Sequence, residues 1–95
     1  MDECVRAHVI VSGLVQGVFF RVTACDVADD LGLTGLVRNL RTGDVEIIVE
    51  GPRGAIERLI SWAHQGPRLS KVDDVHTTWE EATGDYSRFD VALTL

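Results

Sequence analysis

Hydrophobic side chains recur at every second position in five segments, the pattern of half-buried β-strands. The segments are residues 5–12, 36–40, 45–50, 72–80 and 89–95. In the last of them, alternation predicts that Phe89, Val91, Leu93 and Leu95 share one face of a short terminal strand. A short turn with the sequence RTGD separates the second and third segments, and its Gly supplies the positive φ that a tight hairpin needs.

Two other segments have apolar residues at the spacing of an α-helix. In residues 20–31 the apolar positions fall at i, i+4, i+7, i+8 and i+11, which predicts a helix that ends at Gly32. Residues 56–63 repeat in the same way, with Pro52 expected as the first residue of that helix. The Gly66-Pro67 pair is expected to end it.

The predicted order is β-α-β-β-α-β followed by a terminal strand, which is the order of a ferredoxin-like α+β sandwich. We therefore expect a mostly antiparallel sheet with two helices on one face, formed by residues 1–95 as a single domain. A crossover helix joins the first two strands, so these strands run parallel and end at the same edge of the sheet. The loop after Gly13 and the side chain of Asn39 should therefore converge.

The amino-acid composition argues against several classes of protein function. The net charge of −6 argues against a nucleic-acid surface, which requires clustered Lys and Arg. No apolar run is long enough for a membrane span, and no signal peptide is recognised. The two cysteines, Cys4 and Cys25, are too few for a zinc or CxxC site, although a disulfide between them stays open. We expect a cytoplasmic protein with free thiols that binds neither nucleic acid nor membrane.

The stretch SGLVQGVFFRV, residues 12–22, joins the first strand to the first helix. Between Gly13 and Arg21 it has no Ser, Thr, Asp or Asn that could cap the helix. The first amides of that helix then lack acceptors and carry the positive end of its dipole. Gly17 lets the backbone curl so that amides point inward, and Arg21 adds a cationic fork that suits phosphate oxygens. Residue types alone leave two readings open: a phosphate site, or an apolar loop that fills the core with Arg21 on the surface.

The loop is not a nucleotide P-loop, because Gly13 and Gly17 are four residues apart and no Lys-Ser or Lys-Thr follows. No acidic pair for a metal is evident. Elsewhere, Glu46 and Glu50 share one strand face and are expected to be solvated, and Arg38 is expected on the surface. No chemical role is assigned to His8, for which no orienting neighbour is visible in the sequence.

The segments GLVQGVFFR, LGLTGLVRN and GDVEIIVEG, together with the Gly66-Pro67 segment, resemble the acylphosphatase family over nearly the whole chain. The resemblance implies hydrolysis of acyl phosphates to a carboxylate and phosphate. It implies that Asn39 positions the attacking water and that Arg21 binds the phosphate together with five loop amides. Those amides belong to Gln16, Gly17, Val18, Phe19 and Phe20. Thr42 stands where many members have an acidic residue, a departure confined to the hairpin.

This reaction suits a chain without paired carboxylates. The leaving group is a carboxylate whose conjugate acid has a pKa of about 4, so it departs at neutral pH without a proton donor. Phosphoryl transfer through a loose transition state asks mainly for positioning and charge stabilisation. We expect a monomeric enzyme that acts on a small-molecule acyl phosphate, with no metal, no cofactor and no covalent intermediate.

The sequence leaves two alternative functions open. One is a non-enzymatic ferredoxin-like binding module, such as an RNA-recognition domain, which shares the element order but needs sheet aromatics and a basic surface. The other is an accessory domain like the acylphosphatase-like segment of the hydrogenase-maturation carbamoyltransferases.

Overall fold

A computed structural model describes residues 3–95 and contains five strands and two helices. In chain order the elements are β1 Cys4–Leu14, α1 Phe20–Asp30, β2 Thr34–Asn39, β3 Val45–Pro52, α2 Arg53–Gln65, β4 Lys71–Glu81 and β5 Phe89–Val91. The strands form one sheet in the order β4-β1-β3-β2-β5. This architecture is the ferredoxin-like α+β fold predicted from the alternation pattern.

The direction of the strands brings two loops to one edge of the sheet. Both β1 and β2 pair antiparallel with β3, which lies between them, so β1 and β2 point the same way. Their carboxyl ends therefore lie at the same edge, as the crossover connection predicts. Gly32 has a φ of 70° just after α1, and α2 ends immediately before Gly66. Both are the helix ends that the glycines predicted.

One hydrophobic core lies between the sheet and both helices. The sheet contributes alternate residues of its central strands, which are almost completely buried. They include Ala7, Val9, Val11, Val37, Val45, Ile47 and Val49. From the helices, the ring of Phe20 meets the ring of Trp62 with centroids 5.0 Å apart. This packing fixes the start of α1 against α2.

The expectation for the terminal strand was wrong in its length. Only Phe89–Val91 forms a strand, and it pairs parallel with β2. Phe89 is buried, whereas Leu93 is 90% exposed and Leu95 is 65% exposed. Its regular pairing stops at Val91, which lies opposite Val37, two residues before β2 ends at Asn39. Beyond it, the backbone of Leu95 instead bonds to the carbonyl of Asn39 and the amide of Arg41.

The sheet face opposite the helices carries two buried carboxylates, so the expectation that Glu46 and Glu50 are solvated was wrong. The Glu50 side chain accepts hydrogen bonds from Arg6 at 2.7 Å and from the amides of Thr83 and Gly84 at 2.9 Å each. β4 and β5 lie at opposite edges of the sheet, so the segment between them must cross this face. Glu50 therefore fixes the segment between β4 and β5 against the sheet.

The second carboxylate, Glu46, lies between the side chains of Arg38 and His8. It accepts a hydrogen bond from Arg38 Nε at 2.6 Å and lies 2.6 Å from Nε2 of His8. Arg38 is therefore half-buried in an ion pair rather than free on the surface, and His8 has an orienting neighbour that the sequence did not reveal. Burial raises the pKa of Glu46, but the hydrogen bonds from His8 and Arg38 outweigh burial and lower it.

Candidate active site

Helix α1 begins without a side-chain cap. Its N-cap residue, Phe19, has φ 64° and ψ 21°, the left-handed conformation, and its side chain makes no capping hydrogen bond. Within residues 3–95, the amides of residues 16–20 donate no hydrogen bond to a backbone or side-chain acceptor. These donors stand at the positive end of the helix dipole, where an anion is favoured.

Two residues with positive φ, Gly17 and Phe19, create this curled backbone. Gly17 has a φ of 74°, and a Cβ added there would meet no atom within 4 Å, so the dihedral angle and not crowding selects glycine. Phe19 takes a similar angle without being glycine, at a cost of about 1 kcal/mol or more. The carbonyl of Phe19 accepts bonds from the amide and the hydroxyl of Thr23, at 3.1 Å and 2.8 Å, which hold that conformation.

The loop is anchored from below by its apolar side chains. Val15 and Phe20 are each 1% exposed, and Val18 is 9% exposed. These side chains are part of the core. The two readings left open by the sequence are therefore compatible, because the same loop fills the core with its side chains and presents its amides outward.

The side chain of Gln16 joins the loop to the turn between β2 and β3. Its Nε2 donates to the carbonyl of Leu40 at 2.8 Å and to the carbonyl of Asp44 at 2.9 Å. Leu40 directly follows Asn39, so this contact fixes the loop beside the end of β2. The family resemblance predicted a role only for the main-chain amide of Gln16. The signal for its side chain was that it is polar in an otherwise apolar loop.

Asn39 is the last residue of β2 and pairs with Val45 of β3. By strand alternation it lies on the same sheet face as Val37, the face that carries the helices. Its Oδ1 is buried and has no hydrogen-bond partner among residues 3–95. A buried acceptor without a partner lowers the free energy of unfolding by about 1–3 kcal/mol. A molecule that donates a hydrogen bond to this oxygen would recover that energy.

A cavity with a volume of about 330 Å³ opens at the start of α1. It is lined by Val15, Gly17, Phe19, Phe20, Arg21, Val22 and Val91. Four of the seven residues predicted for the site are thus in its wall. Gln16, Val18 and Asn39 are not; they anchor the loop or lie at the adjoining edge. Arg21 is half-buried and forms no salt bridge within the described part of the chain.

The described residues contain no recognisable metal site and no membrane-spanning helix. No group of three or more His, Cys, Asp or Glu side chains within residues 3–95 is arranged to hold a metal ion. No helix in that part of the chain has the length and apolar character needed to cross a membrane. Cys4 and Cys25 are both free thiols.

The arrangement combines three groups at one sheet edge: open amides, a guanidinium and an amide oxygen, none of them paired within residues 3–95. Amides and a guanidinium fork bind the oxygens of a tetrahedral anion, and an amide oxygen accepts a bond from a water proton. Fold and loop together define a small ferredoxin-like protein whose first helix begins with donors that suit an anion.

Comparison with known proteins identifies the family. The family model named Acylphosphatase matches residues 7–91, and the chain belongs to the acylphosphatase family of enzymes. The acylphosphatase of Pelotomaculum thermopropionicum is 47% identical over 88 residues, which are 93% of this chain and 96% of that protein.

Solved structures show the same relationship. The structure of an acylphosphatase from Coxiella burnetii matches with a TM-score of 0.87 and 44% identity, covering 94% of this chain and 93% of that one. Full-length HypF in its phosphate- and nucleotide-bound form matches with a TM-score of 0.88 and 28% identity; the match covers 99% of this chain but 12% of that one. The fold thus also occurs as a segment of a much longer protein.

Proposed function

We propose that this chain hydrolyses acyl phosphates to a carboxylate and inorganic phosphate, with the phosphoryl group bound by the amides of residues 16–20 and by Arg21. The observation that carries the proposal is the uncapped start of α1, whose open amides stand beside Arg21, an arginine with no ion pair among residues 3–95. Family membership supports the choice of acyl phosphates over other phosphorylated molecules.

The proposed catalysis is electrostatic. Loop amides and the Arg21 guanidinium contact the three phosphoryl oxygens and stabilise the charge that these oxygens carry in the transition state. The helix dipole adds to this stabilisation. The carboxylate leaves as the P–O bond breaks, and its low basicity removes the need for a general acid.

We propose that Asn39 orients the attacking water. Its buried Oδ1, without a partner among residues 3–95, would accept a hydrogen bond from that water and hold the water oxygen in line with the bond that breaks. Gln16 supports this geometry by fixing the loop to the residue after Asn39. In this scheme Asn39 and Arg21 are the catalytic residues.

The test is phosphate release from acetyl phosphate and benzoyl phosphate in the presence of EDTA. Arg21→Ala and Asn39→Ala should each lower kcat/KM at least about 100-fold, the scale of losing one oriented charge-stabilising group. Arg58→Ala, an exposed arginine on α2, removes the same charge and should leave activity unchanged. Wild-type activity in a folded Arg21 or Asn39 variant would overturn the residue assignment.

Stability separates a catalytic Asn39 from a structural one. Because its buried oxygen has no partner, Asn39→Ala should unfold at the same temperature as the wild type or slightly above it while losing activity. A large fall in melting temperature would mean that Asn39 is retained for the fold.

The non-enzymatic binding module is not favoured by the family match. The cytoplasmic location, the monomeric state and the absence of nucleic-acid binding stay predictions. Size-exclusion chromatography and a titration with single-stranded RNA test the last two.

A further inference from the structure

The strand β4 forms one edge of the sheet, and one side of it is open. It stands first in the sheet order, and within residues 3–95 it pairs with β1 alone. It is also long, with 11 residues from Lys71 to Glu81. In the described part of the chain, the backbone N–H and C=O groups on its open side therefore have no strand partner, and they can pair with another extended segment.

The charged side chains of β4 lie toward its ends and not at its centre. The central residues 75–79, with the sequence VHTTW, include no Asp, Glu, Lys, Arg or Pro. Val, Thr and Trp favour extended backbone. Sheet edges that avoid pairing usually carry Lys, Pro or an inward-pointing charge. The centre of β4 has none of these, so it can accept a further strand.

Two carboxylates flank this centre on one face of the strand. Asp74 and Glu80 are exposed, and they lie opposite Ser12 and Arg6 of β1, on the sheet face without helices. The Arg6 guanidinium is bonded to Glu50 at 2.7 Å instead. Neither Asp74 nor Glu80 forms an ion pair within residues 3–95. Two cations separated by about 20 Å, the length of six strand residues, match these carboxylates.

A groove runs between α2 and the other face of β4. Its volume is about 360 Å³. The wall from α2 includes Ile60 and Ser61, and the wall from β4 includes Thr77 and Trp79. The guanidinium of Arg53 lies over the Trp79 ring, 4.0 Å from its centroid, and fixes one end of the groove. A strand added beside β4 would direct every second side chain into this groove.

We propose that the edge of β4 and this groove form a docking site for an extended segment of a partner protein. The segment carries apolar side chains at alternate positions and a Lys or Arg at each end, and it adds to the sheet beside β4. Its apolar side chains enter the groove, and its two cations lie opposite Asp74 and Glu80. A second copy of this chain fits less well, because the net charge of −6 repels it.

The probe is a fluorescein-labelled peptide with the sequence KVTVTVK, whose binding is followed by fluorescence polarisation. It reads the same in both directions, so parallel and antiparallel addition both place one Lys opposite Asp74, one opposite Glu80 and the Val side chains in the groove. Two control peptides separate the contributions. EVTVTVE reverses the charge, and KPTPTPK keeps the charge but lacks N–H groups that a strand needs. We expect KVTVTVK alone to bind with a Kd below about 1 mM.

A double variant tests the two carboxylates. Asp74→Asn with Glu80→Gln keeps both side-chain shapes and should weaken binding of KVTVTVK about threefold to tenfold, the scale of two exposed ion pairs. Asp29→Asn with Asp30→Asn, at exposed residues in the last turn of α1, changes the net charge equally and should leave the Kd unchanged. In the wild type, bound peptide should also slow hydrogen exchange at the β4 amides that point away from β1.

These measurements use no acyl phosphate, so their result is independent of the proposed function. A folded wild type that does not bind KVTVTVK overturns the docking site. Equal binding of KPTPTPK overturns it too, because charge attraction without strand addition would then explain the affinity, and so does an equal loss of affinity in the two double variants. Sedimentation velocity of the protein alone tests the other occupant: a dimer that protects the β4 amides from exchange would assign the groove to a second copy and overturn the peptide.

Discussion

The side-chain amide of Gln16 donates a hydrogen bond of 2.8 Å to the carbonyl oxygen of Leu40, the residue that follows Asn39. One side chain thus connects the loop with the open amides to the strand that carries the unpaired amide oxygen. A second bond from the same nitrogen, to Asp44 at 2.9 Å, fixes both sides of the turn.

Replacing Gln16 should therefore separate positioning from phosphate binding. Gln16→Ala removes the side-chain donor from both carbonyls, which keep their backbone donors, the amides of Gly43 and Leu40. The loop is then no longer fixed to the turn, so kcat should fall about tenfold as the geometry at Asn39 is lost. The inhibition constant for phosphate should change less, because the loop amides remain. Thr42→Ala, which removes an exposed bond to Asp44 in the same turn, is the control. A Gln16→Ala protein with the kcat of the wild type would contradict this role.

Gly17 and Gly32 form a natural pair for testing the loop. Their φ angles are 74° and 70°, and a Cβ at either position would meet no atom within 4 Å. Gly17→Ala and Gly32→Ala should therefore lower the free energy of unfolding by the same amount, about 1 kcal/mol. We expect only Gly17→Ala to lower kcat/KM, because only that residue shapes the loop amides. Equal activities in the two folded variants would argue against an amide-based phosphate site.

The Glu50 carboxylate should make the fold sensitive to acid. Burial alone would raise its pKa, but the amides of Thr83 and Gly84, with Arg6, outweigh burial and lower the pKa to about 2. The pKa of an unfolded glutamate is about 4.3, so Glu50 contributes its full stabilisation above that value and loses it as the pH falls toward 2.

We therefore expect the melting temperature to drop between about pH 5 and pH 2. Glu50→Gln should melt lower than the wild type at pH 7 and change less with acidification, with Glu46 accounting for part of the remaining slope. Glu57→Gln, at an exposed residue of α2, should follow the wild-type curve. Parallel curves for Glu50→Gln and the wild type would show that this carboxylate is not the acid-sensitive group.

The thiol of Cys25 should be unreactive. Its partial burial, and then the nearby Asp29, Asp90 and Asp26, raise its pKa to about 11. At pH 8 about one thiol in a thousand is then the reactive thiolate. Iodoacetamide followed by mass spectrometry should modify the exposed Cys4 first and Cys25 only after unfolding in urea. Equal labelling rates in the native protein would contradict this expectation.

Much of the fold was predictable because the spacing of hydrophobic residues changes where a strand gives way to a helix. The switch from alternation to helical spacing near Phe20 marked the start of α1, and the crossover connection placed Asn39 at the same edge as the loop. Local chemistry and topology were enough for these features, since each depends on neighbouring residues or on one connection.

Features that depend on distant residues were not predictable. Alternation placed Glu46 and Glu50 on one face, but nothing local shows that residues 83 and 84 return across that face and bury Glu50. The partner of His8 lies 38 residues away, and Val91 reaches the cavity only because β5 pairs with β2. Such contacts follow from the assembled sheet and not from any window of sequence.

The uncapped start of α1 also links ligand occupancy to heat stability. A missing cap costs a helix about 1 kcal/mol, and an anion on the open amides restores those hydrogen bonds in the folded state alone. Each tenfold increase in an anion that saturates the loop should then add about 1.4 kcal/mol to the free energy of unfolding. A thermal melt with phosphate or sulfate thus becomes a binding assay for this protein, one that needs no unstable acyl phosphate and works equally in variants without turnover.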